Sequence, residues 1–290
     1  MSLLELSFKK IFLVLGALSV LNFYVWQGAA GRVSNLEFYF LDVGQGDSQL
    51  VNLPAESGEI QILIDGGRGP KVLSELGEAL LFGDRYIDLI VATHPDLDHF
   101  GGLIDVLKNY QVGAVIMNGQ QGKADAYPEF EKIMVEKNIP RIILKEGDAI
   151  RYGDFLVQIL NPPKLYRDAK QTNENGLVLL VSGRGVRALF TADIGRETEL
   201  ALARKYNLRA DILKVAHHGS RFSSSAEFLR EVQPKFSVIG VGRNSYGHPT
   251  KEVLSRLAKI SANIFRTDLN GTVKAELAGD QLFLFSEILK

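Results

Sequence analysis

Four side chains of metal-ligand type stand within six positions of the chain, in the segment Thr93–Gly102. They are His94, Asp96, Asp98 and His99. The apolar run Ile87–Ala92 directly precedes them and is typical of a buried strand. Imidazoles and carboxylates that are crowded at a strand end repel one another or remain hydrated unless a cation binds them. Their nitrogen and oxygen donor atoms suit Zn, Mn or Fe. The segment predicts a metal site; a polar loop with a charged helix start is the plain alternative.

Further ligand candidates follow other apolar runs. The chain has five histidines, and we expect none within a strand or on a helix face, where core histidines usually lie. The remaining candidates are Asp193, His217, His218 and His248. Because α/β proteins place active sites on loops after strands, these side chains are expected to join the first four. Asp193 alternatively caps the predicted helix Glu197–Tyr206, although Thr191 and Gly195 compete for that position.

Three other polar residues are weaker candidates. Asp65 ends the predicted strand Ile60–Ile64, and the two glycines behind it favour a turn or an orienting role as much as metal binding. Asn173 and Asn175 precede the predicted strand Leu177–Ser182 and are neutral oxygen donors. Residues of this kind are usually loop residues, so a metal or substrate contact is the less favoured interpretation.

Composition and the N-terminus restrict the class of protein. The chain has 290 residues, no cysteine and a net charge of −1, which excludes disulfides, thiolate ligands and a global field for nucleic acid. Lys9 and Lys10 precede the apolar run Ile11–Trp26, and small residues follow around Ala30. This pattern predicts a signal peptide; an uncleaved membrane anchor and a buried helix are the alternatives. We therefore expect residues 1–30 to direct export and residues 31–290 to form one domain that is secreted, periplasmic or anchored on the outer face of the cytoplasmic membrane.

Strands and helices alternate from Leu36 onward with no low-complexity linker. The elements predicted beside the candidates are helix Phe100–Tyr110 and strands Val186–Phe190, Asp211–Val215 and Phe236–Val241. A hairpin loop is predicted at Gly44–Ser48, and Asn270-Gly271 is expected to turn between two terminal strands. Two clusters of strands, each flanked by helices, predict two sheets packed face to face with helices outside.

The motif Thr-His-x-Asp-x-Asp-His-x-Gly-Gly, followed by a strand-terminal Asp and then a His, resembles the metallo-β-lactamase superfamily. Phe40–Ser48, Leu213–Ser220 and Tyr246–Thr250 resemble the extracytoplasmic hydrolase domain of ComEC-type competence proteins, which import transforming DNA. The similarity runs from about Leu36 to the C-terminus. It implies an α/β fold, the αββα four-layer sandwich, with a two-metal site between the sheet edges.

The chain departs from the family pattern at three points. Asp96 stands where the superfamily commonly has a histidine, although the ComEC-type branch shares the aspartate. Asn173-Glu174-Asn175 occupies the interval of the superfamily's third histidine motif. A single apolar segment stands in place of a multi-span channel, so a detached hydrolase is implied rather than DNA transport.

The resemblance implies two divalent metal ions, Zn or Mn, as cofactors. The implied ligands are His94, Asp96, Asp98, His99, Asp193 and one or both of His217 and His218, because neighbouring loop residues can aim either way. Asp98 is the candidate to orient the attacking water and take its proton, and His248 with the free member of the pair could protonate the leaving oxygen. The residues expected to contact substrate or support the ligands are Asp47, Asp65, Asn173, Asn175, Ser220, Arg221 and Arg243.

A phosphodiester, foremost DNA, is the expected substrate, because basic residues lie beside the site motifs. They are Arg68, Lys71, Lys214, Arg221 and Arg243. The alternatives are a small phosphoester such as choline phosphate on a cell-wall polymer, a β-lactam amide, and a metal- or nucleic-acid-binding module without catalysis. An extended basic and aromatic surface favours DNA, whereas a closed pocket favours a small ester. Membrane contact is expected only through the N-terminal segment.

Overall fold

The computed structural model describes residues 35–56, 58–165, 171–260 and 263–288, together with Gly16 and Ser19. The chain divides after Ser34 into two units, and Asn35–Lys290 carries the fold. The predicted leader, residues 1–30, lies outside the described residues apart from those two positions. In the described ranges, no helix is both long enough and apolar enough to cross a lipid bilayer.

The described ranges form an eight-stranded and a seven-stranded sheet. The first sheet contains β1 (Leu36–Phe40), β2 (Gln49–Pro54), β3 (Glu59–Ile64), β4 (Tyr86–Ala92), β5 (Gln111–Met117), β6 (Arg141–Ile143), β14 (Val273–Ala278) and β15 (Gln281–Ser286). The second contains β7 (Ala149–Tyr152), β8 (Phe155–Asn161), β9 (Val178–Gly183), β10 (Val186–Phe190), β11 (Ile212–Lys214), β12 (Phe236–Ile239) and β13 (Asn263–Arg266).

Each sheet contains a parallel block and an antiparallel block. The strand orders are β15-β14-β1-β2-β3-β4-β5-β6 and β13-β12-β11-β10-β9-β8-β7. Strands β3 to β6 run parallel, as do β10 to β13, and the remaining neighbours pair antiparallel. Because parallel strands end at a common edge, the loops after β4, β10, β11 and β12 carry their side chains to one region.

Helices cover the outer faces of both sheets. Against the first sheet lie α1 (Lys71–Ala79), α2 (Leu97–Asn109) and α3 (Tyr127–Glu136), and against the second lie α4 (Arg196–Lys205), α5 (Ala226–Val232) and α6 (Lys251–Ala258). A short helix, α7 (Thr267–Asn270), connects the sheets. One apolar core lies between the sheets and one lies under each helical layer. The predicted αββα sandwich is therefore confirmed.

Hydrophobic patterning explains the layers. Strand β1 alternates buried and half-buried residues, and its Phe38 and Phe40 point into the core between the sheets. Phe40 stacks on Phe190 of β10 with ring centroids 6.0 Å apart. In α2, Phe100 and Leu103 are fully buried against the first sheet. Burying each such side chain contributes about 1.5–3 kcal/mol. The apolar residues repeat every second position in the strand and about every 3.6 positions in the helix, and this repeat decides which face of each element is buried.

The start of α2 differs from the prediction. The helix begins at Leu97, three residues before the expected Phe100, because the Asp96 carbonyl accepts the N–H groups of His99 (3.0 Å) and Phe100 (3.1 Å). Asp98 and His99 therefore lie in the first helical turn and not in a loop. The expectation that no histidine lies on a helix is wrong for His99.

Two further expectations are corrected at the sheet edges. Asn270 ends α7 and Gly271 follows it, on the connection from β13 in one sheet to β14 in the other, so this pair is not a hairpin turn. The terminal hairpin turns at Gly279-Asp280, between β14 and β15.

Strand β7 was not predicted, because its residues are mostly exposed and show no apolar alternation. It pairs with β8 at the edge of the second sheet.

Candidate metal centre

The ligand candidates meet where the parallel blocks of the two sheets end. His94 follows β4, Asp193 follows β10, and His218 lies in a short 3₁₀ turn, Ala216–Gly219, after β11. The first turn of α2 adds Asp98 and His99. Residues separated by more than a hundred positions in the sequence thus share one site because strand ends carry them there.

Asp193 lies at the centre of this cluster. Its Oδ2 is 3.4 Å from Nε2 of His99 and 3.5 Å from Nε2 of His218. The same His218 nitrogen is 3.4 Å from Oδ2 of Asp98. The N-cap of α4 is Gly195, so the alternative role of Asp193 as a helix cap does not apply. These four side chains face a common point.

His94 and Asp96 form a second, looser part of the cluster. Nε2 of His94 is 3.8 Å from Oδ2 of Asp96, and the rings of His94 and His99 have centroids 4.0 Å apart. The His94 side chain is buried, whereas that of Asp96 is 40% exposed. Of these two residues, only Asp96 therefore reaches solvent.

Asp65 orients the two histidines from behind. Its Oδ2 accepts a hydrogen bond from Nδ1 of His99 (2.7 Å) and another from the Thr93 hydroxyl (2.7 Å). Thr93 Oγ1 in turn lies 3.0 Å from Nδ1 of His94. Since Nδ1 is occupied in both rings, Nε2 of each is left to face the cluster. Of the two roles considered for Asp65, the geometry matches the orienting one, and Thr93 was missed although it opens the motif.

The structure separates the two adjacent histidines. His218 is buried, its Nδ1 is 2.8 Å from the carbonyl oxygen of Gly240, and its Nε2 faces Asp193 and Asp98. The His217 side chain is 31% exposed, and its Nε2 lies 3.8 Å from Oδ2 of Asp193. Both residues have φ near +50°, a left-handed conformation that non-glycine residues rarely adopt. Only His218 therefore has the burial and orientation of an inner ligand.

The cluster fits a divalent cation. Buried polar atoms without a hydrogen-bond partner cost free energy, yet several converge here among the described residues. They are Nε2 of His94, His99 and His218 and Oδ1 of Asp193. One ligand atom from each of Asp47, His99, Asp193 and His218 also lies within 4.8 Å of the others. Imidazole nitrogen and carboxylate oxygen are the donors that Zn, Mn and Fe take, so a metal held by this group would satisfy the unpartnered atoms of His99, His218 and Asp193.

The acidic and imidazole groups shift one another's pKa strongly. Burial alone would raise the pKa of Asp193, but His218 and His99 hold it well below its usual range. Burial alone would lower the pKa of His218, but Asp193 and Asp47 raise it to about 10. His94 behaves differently, since burial and His99 lower its pKa to about 4. The cluster therefore holds protons that a cation would replace.

Asp47 and Lys214 lie beneath the cluster as a buried ion pair, with both side chains 1% exposed. The loop between β1 and β2 supplies Asp47, and its backbone N–H bonds to the carbonyl of Asp98 (3.1 Å). Asp47 Oδ1 is 3.5 Å from Nδ1 of His218. Lys214 is thus a structural partner of an acid, and its expected role as a phosphate-binding cation is wrong.

The interval Asn173–Asn175 forms a 3₁₀ turn, and its asparagine side chains hydrogen-bond to residues of the same segment. Asn175 Nδ2 donates to the Gln171 carbonyl (2.8 Å), and Asn173 Oδ1 accepts from Thr172 (3.2 Å). Glu174, which was not predicted as functional, accepts hydrogen bonds from the Gly195 N–H (3.1 Å) and the Thr198 hydroxyl. This interval therefore caps the start of α4. Tertiary packing brings Glu174 to this helix, and no local sequence pattern predicts that contact.

Further predicted residues surround the mouth of the site. The ring of His248 lies edge-on to that of His217 at 5.7 Å and near that of Tyr246 at 5.8 Å. Tyr246 is 71% exposed. Ser220 is buried, and its hydroxyl accepts the Phe222 N–H (3.4 Å). Of the basic residues, Arg68, Arg221 and Arg243 are exposed, while Lys71 pairs with Asp42 at 2.7 Å.

Comparisons with known proteins agree with this architecture. The Metallo-beta-lactamase superfamily profile matches residues 41–243. ComE operon protein 3 of Bacillus subtilis (strain 168) is 32% identical over 259 residues, which are 82% of this chain and 32% of that protein. Competence protein ComA of Neisseria gonorrhoeae is 32% identical over 239 residues, 80% of this chain and 31% of that protein. The chain thus spans about a third of the length of these relatives.

Solved structures share the fold at low sequence identity. The metallo-beta-lactamase fold protein YhfI from Bacillus subtilis superposes with a TM-score of 0.52 at 12% identity, covering 81% of this chain and 98% of that one. The metallo hydrolase Igni18 from the archaeon Ignicoccus hospitalis gives 0.52 at 13% identity, covering 83% and 100%. With its αββα sandwich, its buried ligand cluster and the profile match over most of its length, the chain belongs to the metallo-β-lactamase superfamily.

Proposed function

We propose that the chain is a metal-dependent phosphodiesterase that cleaves DNA. Membership of the superfamily supports a metal-dependent hydrolase. The observation that carries the proposal is the convergence of the unpartnered Nε2 atoms of His99 and His218 on Asp193, with the unpartnered Nε2 of His94 nearby and an exposed rim of arginine and aromatic side chains beside them. The similarity to competence proteins favours DNA among the phosphodiesters.

Two overlapping sets of residues would hold the cations. Asp98, His99 and His218 would form one set with Asp193, and His94 and Asp96 would form the other with the same Asp193 carboxylate. When bound, divalent cations polarise a phosphoryl oxygen and lower the pKa of a water molecule, and either Zn or Mn suits these donors. The second set has fewer protein ligands, since Asn173 and Asn175 bond elsewhere.

Asp98 is proposed to orient the attacking water. Burial alone would raise the pKa of this carboxyl, but the contact with His218 and the charge of His99 hold it well below its usual range. Asp98 is therefore ionised at neutral pH and accepts a hydrogen bond from a water molecule. Its side chain is 30% exposed, so it also borders the space open to a substrate. A carboxylate of low pKa suits orientation better than proton removal.

His217 and His248 are proposed to act on the leaving oxygen. His217 is the free member of the histidine pair and faces the mouth of the site. His248 packs edge-on against it, and its buried Nδ1 has no partner among the described residues. Burial and the neighbouring His217 lower the pKa of His248, so this ring is neutral at neutral pH. We assign the proton transfer to His217 and its positioning to His248.

The shape of the site supports a polymeric substrate. The cavity next to His94, between Phe100 and Tyr127, holds only about 10 Å³, roughly the space of one water molecule. That cavity is too small for a choline phosphate or a β-lactam. Arg221, Phe222 and Tyr246 instead present charge and aromatic faces to solvent. Such a surface accommodates a nucleic-acid strand.

The proposed location is outside the cytoplasm. It depends on the N-terminal pattern of basic residues, apolar run and small residues at 1–30, which predicts a leader or an anchor. Proteins of the competence group among the relatives make an extracytoplasmic DNA substrate reasonable. Fractionation of cells that produce the full chain would test this: recovery only in the cytoplasm would contradict it.

Metal content and a substrate panel test the function together. We expect the purified full chain to carry more Zn or Mn than the Asp193→Ala variant, and to cut single-stranded DNA in a reaction that Asp98→Ala abolishes. Equal metal in both proteins would refute the metallo-hydrolase. Hydrolysis of a choline phosphate ester or a β-lactam without any DNA cleavage would move the assignment to that substrate, and binding of DNA without hydrolysis of any substrate would indicate a binding module.

A further inference from the structure

A basic pocket lies beside the metal centre and is not part of the ligand cluster. Its volume is about 410 Å³, and the lining includes Arg196, Arg221, Phe222, Ser223, Glu227 and Arg256. Two of its segments also carry inner ligands: Arg196 follows Asp193 by three residues, and Arg221 follows His218 by three. The pocket and the metal centre are therefore built on the same two chain segments.

The pocket is held rigidly to those segments. The Arg196 N–H donates to the Phe222 carbonyl (3.0 Å), and the Ser223 hydroxyl donates to the Ile194 carbonyl (2.8 Å). Nη2 of Arg256, from α6, donates to the carbonyls of Arg221 (3.2 Å) and Ser223 (3.1 Å). The arginine-bearing loop is thus fixed to the loop after β10 on one side and to α6 on the other.

Carboxylates neutralise these arginines only in part. Arg196 pairs with Glu227 at 2.9 Å, but both side chains are exposed, and such pairs stabilise weakly. Among the described residues, no carboxylate lies within 4.0 Å of Arg221 or Arg256. The buried acid Glu199 accepts the N–H groups of Ser224 and Ser225. The pocket keeps a net positive charge.

Arg221 is held by an aromatic ring in place of an acid. Its guanidinium carbon lies 4.9 Å from the centroid of the Phe222 ring, and Phe222 is 67% exposed. A guanidinium presents a planar fork of donors that matches phosphate oxygens. An exposed aromatic face beside it offers a platform for a base. The guanidinium and the ring therefore present a phosphate-binding donor group and a stacking surface side by side, both open to solvent.

We propose that this pocket binds the backbone of a single-stranded nucleic acid, with a phosphate on Arg221 and Arg256 and a base stacked on Phe222. The proposal rests on the proposed function, because the bound strand would be the substrate that the metal centre cleaves. The proposal makes a separate prediction: the affinity for single-stranded nucleic acid depends on the charges of the pocket arginines, which lie outside the ligand cluster.

Equilibrium binding tests the proposal with the metal-loaded full chain. The probe is a fluorescent oligothymidylate of about 15 nucleotides, with phosphorothioate linkages that resist hydrolysis, followed by fluorescence anisotropy over a series of salt concentrations. We expect Arg221→Gln to weaken binding at least about fivefold and to reduce the salt slope by about 0.7, the value for one lost phosphate contact on a single strand. Phe222→Ala should weaken binding by about 5- to 100-fold without changing that slope.

Arg151→Gln is the matched control. Arg151 is exposed on β7, at the far edge of the second sheet, and the substitution removes the same charge. We expect it to bind the oligonucleotide as the wild type does, and the melting temperature and metal content of all variants show whether each is folded. Equal binding by Arg221→Gln and Arg151→Gln, or no binding by the wild type, would overturn the proposal. Binding that depends on Arg221 without any DNA cleavage would refute the nuclease alone and leave this site standing.

Discussion

The ammonium group of Lys214 and the carboxylate of Asp47 form an ion pair that joins the two sheets directly beneath the metal centre, with both side chains 1% exposed. Lys214 ends β11 of the second sheet, and Asp47 lies in the loop between β1 and β2 of the first. Asp47 also faces Nδ1 of His218 at 3.5 Å. The lysine thus balances an acid that would otherwise add a further negative charge to those of Asp98 and Asp193.

Removing only one partner of this pair should destabilise the fold strongly. We expect Lys214→Met to lower the free energy of unfolding by about 3–5 kcal/mol, because it leaves a buried carboxylate without its counter-ion. The double variant Lys214→Met with Asp47→Asn should recover part of that loss. Urea denaturation at neutral pH measures both. A Lys214→Met protein as stable as the wild type would show that Asp47 is compensated in another way.

The hydrogen bond from His99 to Asp65 should control metal affinity. Asp65→Asn replaces a carboxylate that receives Nδ1–H of His99 at 2.7 Å and the Thr93 hydroxyl at 2.7 Å. Loss of such an orienting acid typically weakens a metal site by about 10- to 100-fold. Competition with a fluorescent zinc chelator gives the affinity, and Asp88→Asn is a control because Asp88 lies in β4 away from the cluster. Unchanged affinity in Asp65→Asn would mean that His99 is oriented by packing alone.

Local patterns predicted the site well where it lies at strand ends. The apolar run before His94 and the run before Asp193 end in the structure within two or three residues of these side chains. Contacts formed across the fold were not predicted. The sequence predicts a phosphate-binding role for Lys214, because nothing near it in the chain shows that Asp47 will approach from the other sheet.

The interval Asn173–Asn175 is a second place where local sequence patterns do not predict a contact made across the fold. Asparagine is a common loop residue and a weak ligand, so the sequence singles out the two asparagines and passes over Glu174. Only the packing of this turn against α4 brings the Glu174 carboxylate to the helix start. A helix that is capped by a residue more than twenty positions away in the chain has no capping motif in its own sequence.

Glu174 should therefore matter for stability and its neighbour should not. We expect Glu174→Ala to lower the free energy of unfolding by about 0.5–2 kcal/mol, since it removes the acceptor of the Gly195 N–H and a negative charge at a helix N-terminus. Asn173→Ala is the matched control, because among the described residues the Asn173 side chain bonds to Thr172 and not to α4. Thermal denaturation of both proteins measures the difference. An effect of equal size in the two would indicate a general loosening of the turn.

Metal binding should release protons at neutral pH. Burial alone would lower the pKa of His218, but Asp193 and Asp47 raise it to about 10 in the metal-free fold. The pKa of His99 is raised well above its usual value by Asp193 and Asp65 against the effect of burial. A raised pKa means that the charged imidazole stabilises the metal-free fold below pH 6.5, the unfolded value of the group, and that this stabilisation is lost as the pH rises through about 10.

Because a cation must displace those protons, zinc affinity should increase with pH between 6 and 8, by about tenfold per pH unit for each proton released. Calorimetric titration with Zn²⁺ in two buffers of different ionisation enthalpy counts the protons directly. His248→Ala serves as a control, because the pKa of His248 is lowered and this ring holds no proton at neutral pH to release. Identical heats in the two buffers would mean that the histidines of the cluster are already neutral. His99 and His218 would then not form ion pairs with Asp193 in the metal-free protein.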